Sequence, residues 1–182
     1  ASLVYSPDER FAYVFGRDGG LTKVDILTQK IVKRVVQGGN SIGGAISDDG
    51  KLVAVSNYEP GGVKVFDAET LDLVADVPMG SKTVGIADVP GGRFAVATWD
   101  TGEVWLLDHS ADPAKPVITK LSGIGANPYD ALLTGDGRTY IVGLFGEKGL
   151  TAVDLWQDVE EARGLARAEQ LADLGEAGLL AV

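Results

Sequence analysis

Two acidic side chains stand in turns that also carry an aromatic residue, and they are the first candidates for chemistry. Glu59 lies in the segment Tyr58–Gly62 (YEPGG), and Asp130 ends the segment Asn127–Asp130 (NPYD). A carboxyl group held beside a ligand can act as a general acid or base, so we predict Glu59 and Asp130 as the catalytic residues. A surface carboxylate without a function is the ordinary alternative for both. Asp130 is favoured, because Pro128 restricts the backbone just ahead of it.

The composition excludes several other kinds of site. The chain has no cysteine, which rules out disulfides, thiol catalysis and a zinc site with Cys ligands. Its one histidine, His109, follows Asp108, and we predict it to be an exposed turn residue and not a metal ligand. Met79 is the only methionine. One His, one Met and no Cys do not give the chain a convincing axial pair for an iron, and we predict no metal ligand.

The charge of the chain argues against nucleic acid as a partner. The formal net charge is −10, and no run of Lys or Arg is present. Binding to a phosphate backbone needs a basic surface, so we expect no nucleic-acid partner. No apolar stretch approaches the roughly 20 residues of a membrane helix.

Two sequence anchors recur four times and define the architecture that must position these residues. A turn ending in a basic residue recurs at Arg10, Lys51, Arg93 and Arg138, with separations of 41, 42 and 45 positions. An apolar residue followed by Asp recurs with nearly the same period, ending at Asp25, Asp67, Asp108 and Asp154. A period of about 40 to 45 residues is typical of a β-propeller blade with four strands. We therefore predict an all-β fold, a β-propeller with four repeats.

Each repeat predicts short strands separated by turn signals. The first contains Phe11–Gly16, the hairpin Arg17–Gly20, the alternating Leu21–Ile26 and the outer strand Lys30–Val36. The later repeats predict the strands Leu52–Ser56, Val63–Phe66, Leu73–Val77, Phe94–Thr98, Val104–Leu107, Val117–Leu121, Tyr140–Leu144 and Leu150–Leu155, with Ser2–Ser6 and Gly43–Ser47 as inner strands. The recurring Asp residues are predicted to bond turn backbones and not to form a carboxylate site.

The domain prediction separates the repeats from a divergent tail. Residues 1–157 are predicted as four blades of a partial propeller, and residues 158–182 as the tail. The tail is rich in Ala, Leu, Glu and Arg, which favours a helix over Val159–Leu174, with an irregular strand as the alternative. Four blades leave sheet edges to be covered, and the sequence begins with a strand within a blade. We therefore expect the chain to be part of a longer propeller, one with eight blades.

Several longer segments resemble the NirF family, which belongs to d1-type heme biosynthesis and is related to the d1 domain of cytochrome cd1 nitrite reductase. The resemblance is carried by Tyr13–Thr22, Gln37–Ala45, Val55–Asp67, Asn127–Leu132 and Gly143–Glu147. Their asymmetric sequences are not shared by generic propellers, and together they extend over roughly Ala1 to Trp156. The resemblance implies an eight-bladed propeller that binds a d1-type heme, or a heme d1 precursor, in its central cavity.

That ligand implies a set of binding residues on one face of the propeller. Hairpins between second and third strands, and crossovers between blades, share the ligand face, while the basic anchors lie on the far face. A tetrapyrrole needs aromatic surfaces, cations for its carboxylates and polar groups for its ring substituents. The predicted cofactor-binding residues are Arg17, Asn40, Asn57, Tyr58, Lys82, Trp99, Tyr129 and Phe145. Tyr58, Trp99 and Phe145 are predicted to line one cavity, with packing between blades as the alternative.

Three functions remain open at this point. The resemblance implies an enzyme that modifies the tetrapyrrole late in its maturation for cytochrome cd1 nitrite reductase, by an unresolved reaction. A carrier that holds heme d1 without catalysis is the first alternative, and a propeller scaffold for protein interactions is the second. The resemblance also implies periplasmic localisation, other heme d1 maturation proteins as partners, and a membrane contact only through an upstream lipid anchor. A homodimer is compatible with it.

Overall fold

Four antiparallel sheets of four strands make up the computed structural model of the protein, which describes residues 2–156 and the backbone of 166–167. In each sheet the strands are paired in chain order, as in the blades of a β-propeller. Because the described residues form strands and turns, they include no helix that spans a membrane. Blade 1 has β1 (Ser2–Tyr5), β2 (Phe11–Phe15), β3 (Gly20–Asp25) and β4 (Lys30–Val36); blade 2 has β5 (Ser41–Ile46), β6 (Leu52–Asn57), β7 (Val63–Asp67) and β8 (Leu73–Val77); blade 3 has β9 (Thr83–Val89), β10 (Arg93–Thr98), β11 (Glu103–Asp108) and β12 (Val117–Leu121); blade 4 has β13 (Leu132–Leu133), β14 (Thr139–Gly143), β15 (Leu150–Asp154) and β16 (Ala166–Arg167).

The first strand of each blade lies next to the first strand of the following blade. β1 contacts β5, β5 contacts β9, and β9 contacts β13. These are the inner strands, and their succession confirms the predicted β-propeller architecture. The predicted outer strands Lys30–Val36, Leu73–Val77 and Val117–Leu121 are confirmed with unchanged bounds.

The tail prediction falls almost entirely outside the described residues. Within the predicted helix Val159–Leu174, only Ala166–Arg167 is described, and these two residues form β16, which pairs with β15. The boundary between residues 157 and 158 also lies outside the described residues and stays a prediction.

The core lies between neighbouring blades. Tyr13 and Phe15 of blade 1 pack with Val53 and Phe66 of blade 2. In the same way Tyr140 of blade 4 packs against strands of blade 3. Complete burial of one large apolar side chain stabilises a fold by about 1.5–3 kcal/mol, so these seams hold the inner strands in place.

The far-face turns have the structural role that the repeat predicted. Asp25 accepts the backbone N–H of Thr28 and also pairs with Arg10, whose Nη2 lies 2.6 Å from Oδ2. Asp154 likewise accepts the N–H of Trp156 and pairs with Arg138. The recurring Asp residues therefore stabilise turns, as predicted.

Two buried hydroxyl groups join the blades on the opposite face. Ser41 Oγ, at the start of β5, donates to the carbonyl of Gly16 in blade 1, at 2.8 Å. Thr83 Oγ1, at the start of β9, likewise donates to the carbonyl of Asn57 in blade 2, at 2.7 Å. Each bond fixes the end of a second strand, where a ligand-face hairpin begins.

Candidate functional site

An open cleft of about 420 Å³ lies along the inner strands and contains three of the predicted site residues. Arg17 borders it from the hairpin of blade 1. Tyr129 and Asp130 border it from the crossover between blades 3 and 4, on the other side. Its floor is formed by residues 42–44 of β5 and 84–86 of β9, with Ser2 and Ala131 completing the lining. The structure thus brings a cation, a phenol and a carboxyl group from distant repeats to one surface.

Arg17 and Asp130 are both available to a ligand. Both side chains are exposed, and within the described part of the chain neither forms a hydrogen bond or an ion pair. By contrast, Arg34 in the same blade is held by Asp18, with Nη2 2.7 Å from Oδ2. An unpaired guanidinium matches a ligand carboxylate with two parallel hydrogen bonds.

The position of Arg17 is equivalent to an aromatic position in the other blades. The N–H groups of Tyr58, Trp99 and Phe145 each donate to the carbonyl of the residue that leads into the inner strand of their own blade, all at 2.9 Å. Arg17 comes directly after Gly16, whose N–H donates to the carbonyl of Gly20 and closes the blade 1 hairpin. Tyr58 comes directly after Asn57, whose N–H closes the blade 2 hairpin in the same way. Counting seven residues from the basic anchors Arg10 and Lys51 identifies this equivalence in the sequence.

Three aromatic rings form a cluster beside the cleft. The centroids of Trp99 and Phe145 are 5.2 Å apart, and those of Trp99 and Tyr129 are 5.7 Å apart. Phe145 is 75% exposed, so the cluster presents an aromatic surface to solvent. Tyr58 is not a member of it: its ring lies 5.6 Å from Lys82 Nζ. Trp99 and Phe145 are thus in contact with each other, and a single cavity lined by Tyr58, Trp99 and Phe145 stays a prediction.

Lys82 already has a partner. Its Nζ lies 3.0 Å from Asp100 Oδ1, and its backbone N–H donates to the other carboxylate oxygen. The hydrogen bond to Asp100 raises the pKa of Lys82, and the bonds from Lys82 lower the pKa of Asp100. A ligand carboxylate would compete with Asp100 for this ammonium group, so Lys82 is a weaker candidate than Arg17.

Asn57, predicted to bind a ligand, is buried and bonded to another side chain, and its role in binding stays a prediction. Asn57 is only 2% exposed, and its amide exchanges two hydrogen bonds with Gln37, at 2.9 and 3.2 Å. Its polar atoms are therefore used inside the seam between blades 1 and 2. Asn40 is half-buried and its backbone is bonded to the blade 2 hairpin, at Tyr58 and Glu59.

We expect Asn57→Ala to lower the free energy of unfolding by about 1–3 kcal/mol, because the buried amide of Gln37 loses both hydrogen bonds with Asn57 and keeps only the long bond to Ser41 Oγ. Urea unfolding of the full-length protein measures this. The d1-type heme affinity of the folded variant should stay within about twofold of the wild type, since one neutral hydrogen bond to a ligand would contribute more. Unchanged stability combined with lost affinity would establish Asn57 as a binding residue.

Glu59 lies on the same face as the cleft but does not line it. Its side chain is exposed in the blade 2 hairpin. Of the two predicted catalytic carboxyl groups, only Asp130 lines the cleft together with Arg17 and Tyr129. Within the described residues, no group of three or more His, Asp or Glu side chains is arranged to hold a metal ion.

His109 is on the far face as predicted, but it is not exposed. Only 2% of it is accessible; its Nδ1 lies 2.7 Å from the carbonyl of Pro113 and its ring packs edge-on against Phe94. Burial lowers its pKa. The sequence predicted an exposed side chain because histidine is polar and follows a turn signal. Its burial depends on the contact with Phe94, which belongs to a different strand.

Asp88 is an ionisable group that the sequence did not single out. It occupies β9 on the far side and is half-buried, with Oδ1 buried and without a hydrogen-bond partner. Burial, together with the charges of Asp48 and Asp49, raises the pKa of the Asp88 carboxyl to about 6. The equivalent residue of β5 is Ile46, so the signal in the sequence is a carboxyl group at a position that is apolar in the neighbouring repeat.

We expect Asp88→Asn to stabilise the protein at pH 7.5 by about 2 kcal/mol, and by less as the pH falls toward 4. A raised pKa in the folded state means that stability is complete below the unfolded pKa, about 3.9, and is lost as the pH rises through about 6. Urea unfolding at pH 4, 5, 6 and 7.5 measures the difference. Asp76→Asn, which changes an exposed side chain on the outer strand β8, is the control, and an equal pH dependence in both variants would contradict the assignment.

Comparison with known proteins shows the family to which this chain belongs. The family model described as the cytochrome D1 heme domain matches residues 1–174. The curated protein NirF of Stutzerimonas stutzeri is 62% identical over 164 residues, which are 86% of this chain and 42% of that protein. NirF of Pseudomonas aeruginosa is 56% identical over 183 residues, which are 96% of this chain and 45% of that protein. The chain thus spans less than half the length of either relative.

A solved structure is similar in both fold and sequence. Dihydro-heme d1 dehydrogenase NirN in complex with DHE superposes with a TM-score of 0.74 and 29% identity. The match covers 85% of this chain and 34% of that chain.

Proposed function

Because the chain belongs to the family of the cytochrome D1 heme domain, we propose that it is the part of a heme d1 biosynthesis protein that binds a d1-type heme or its precursor. One observation carries the proposal: Arg17, Tyr129 and Asp130 line one cleft in a chain that is 62% identical to a NirF protein. The chemistry of the cleft fits a flat ring with carboxylate substituents.

Each part of the ligand has a counterpart in the structure. The exposed aromatic cluster offers a stacking surface, and the unpaired guanidinium of Arg17 is suited to a propionate. The NirN structure supports the same ligand class, because that related protein is a dihydro-heme d1 dehydrogenase solved with DHE. We assign the heme to the role of substrate, acted on late in maturation for cytochrome cd1 nitrite reductase.

The proposal includes a reaction at the ring periphery. Asp130 is the general acid or base, with an electron acceptor supplied by a partner if the ring is oxidised. A carrier would use Arg17 and the aromatic cluster but would not require Asp130. Replacement of Asp130 therefore separates the two functions, since a carrier keeps its full function without that carboxyl group.

We place this function in the periplasm, with other heme d1 maturation proteins and the nitrite reductase as partners. This part of the proposal follows from the sequence resemblance alone, and a periplasmic fractionation of the full-length protein tests the localisation.

The direct test of the ligand is a titration of the full-length protein with a d1-type heme, followed by visible spectroscopy in both redox states. We expect a saturable shift of the heme bands. If the heme bands shift in neither redox state, the proposed function is contradicted and a propeller scaffold is the remaining alternative.

A further inference from the structure

The crossover that carries Tyr129 and Asp130 is fixed by backbone bonds from two blades. The N–H of Tyr129 donates to the carbonyl of Gly143 in blade 4, at 2.9 Å. The carbonyl of Tyr129 accepts from the N–H of Gly85 in β9 of blade 3, at 2.7 Å. The backbone at Tyr129 is therefore where the two blades meet, directly beside two side chains of the cleft.

Gly85 leaves no space for a side chain at this point. A Cβ atom built on it would lie 2.5 Å from the carbonyl oxygen of Tyr129, 2.7 Å from the carbonyl carbon of Asp130 and 2.8 Å from the nitrogen of Ala131. All three are backbone atoms, which cannot move away by a change of rotamer. A side chain at position 85 must therefore displace the crossover by roughly 1 Å or weaken the seam between blades 3 and 4.

The equivalent glycine of the preceding blade has a less demanding environment. A Cβ on Gly43 in β5 would lie 3.1 Å from the carbonyl oxygen of Val84 and 2.9 Å from the hydroxyl of Ser56, a side chain that can rotate. The N–H of Gly43 donates to that hydroxyl and not to the next blade. Of these two equivalent glycines, the one with the closer backbone approach thus belongs to the seam that carries Tyr129 and Asp130.

We propose that Gly85 is a positioning residue of the cleft, which sets the distance of Tyr129 and Asp130 from Arg17 across it. The inference rests on the proposed function, because a distance across the cleft matters only if one ligand contacts both sides. Gly85 belongs to the floor of the cleft, and its positioning role is to let the crossover lie against β9. A misplacement of about 1 Å among the groups of a site can lower the rate of the reaction there by up to about 100-fold.

The test is the affinity of full-length Gly85→Ala for a d1-type heme, measured by visible titration. We expect it to fall by about tenfold or more, with the circular dichroism spectrum retained. Gly135→Ala is the matched control, since a Cβ on Gly135 in the far-face turn of blade 4 would meet no atom within 4 Å. Its affinity should stay within about twofold of the wild type, since no atom of the cleft has to move.

A double-mutant cycle distinguishes positioning from general destabilisation. If Gly85 acts through Tyr129, the effect of Gly85→Ala on affinity should be largely lost in a Tyr129→Ala background. If the two effects are additive, or if Gly85→Ala binds like the wild type, the positioning role is overturned while the proposed function stands. A wild type that does not bind overturns both.

A second variant addresses the case in which Gly85→Ala does not fold. Asn127 anchors the same crossover through a bond from Nδ2 to the carbonyl of Trp99, at 3.1 Å, and has a φ of 51° that glycine also adopts readily. Asn127→Gly releases the crossover without a clash. We expect its affinity to fall about threefold or more, because one modest hydrogen bond is lost. Unchanged affinity would contradict the dependence on crossover position.

Discussion

Replacement of Arg17 by alanine should weaken the binding of a d1-type heme to the full-length protein by about 10- to 100-fold. Arg17 is the unpaired guanidinium of the cleft, and a hydrogen-bonded pair with a ligand carboxylate contributes about 1.5–3 kcal/mol. Arg17→Lys should recover only part of the affinity, because an ammonium group cannot form the two parallel bonds. Visible titration gives the dissociation constant of each variant.

The control for this prediction lies in the same blade. Arg34→Ala makes the same chemical change, but Arg34 belongs to the outer strand β4 and is paired with Asp18. We expect its affinity to equal that of the wild type. Equal losses in both variants would indicate a general effect of net charge and would contradict a direct contact with Arg17.

Asp130→Asn should reduce turnover of the bound tetrapyrrole by about 100- to 10,000-fold while the affinity changes little. The amide keeps the size of the side chain but cannot take up or release the proton. Single-turnover spectroscopy with the ligand already bound separates the chemical step from binding. Asp76→Asn, on the outer strand β8, is the control and should react like the wild type.

Two results would revise this assignment in different directions. Loss of turnover in Glu59→Gln, but not in Asp130→Asn, would move the acid or base to the hairpin of blade 2. Full function of both variants would support the carrier, in which the cleft binds the ring without changing it.

The fold was predictable because the strands of each blade are local in sequence. The anchors ending in Arg10 and Lys51 repeat with one period, so alternating segments such as Lys30–Val36 could be assigned with their bounds. The bounds of strands β9 and β13 were not predicted. Thr83–Val89 and Leu132–Leu133 follow crossovers whose turn signals are weaker than those of the hairpins.

The site was predictable only in part, because its geometry depends on contacts between repeats. Arg17, Tyr129 and Asp130 were chosen by residue type and face, and they do share a cleft. Asn57 was indistinguishable from a turn asparagine until its bonds to Gln37, 20 residues away, were visible. The close approach of Gly85 to Tyr129 is equally a contact between blades that no local pattern reveals.

The most direct test of the central claim is a crystal structure of the full-length protein with a d1-type heme bound. We predict that the ring lies in the cleft along the inner strands, with a carboxylate within hydrogen-bond distance of the Arg17 guanidinium and Asp130 beside the ring edge. A ring bound outside this cleft, or bound in it with Arg17 turned away, would contradict the account.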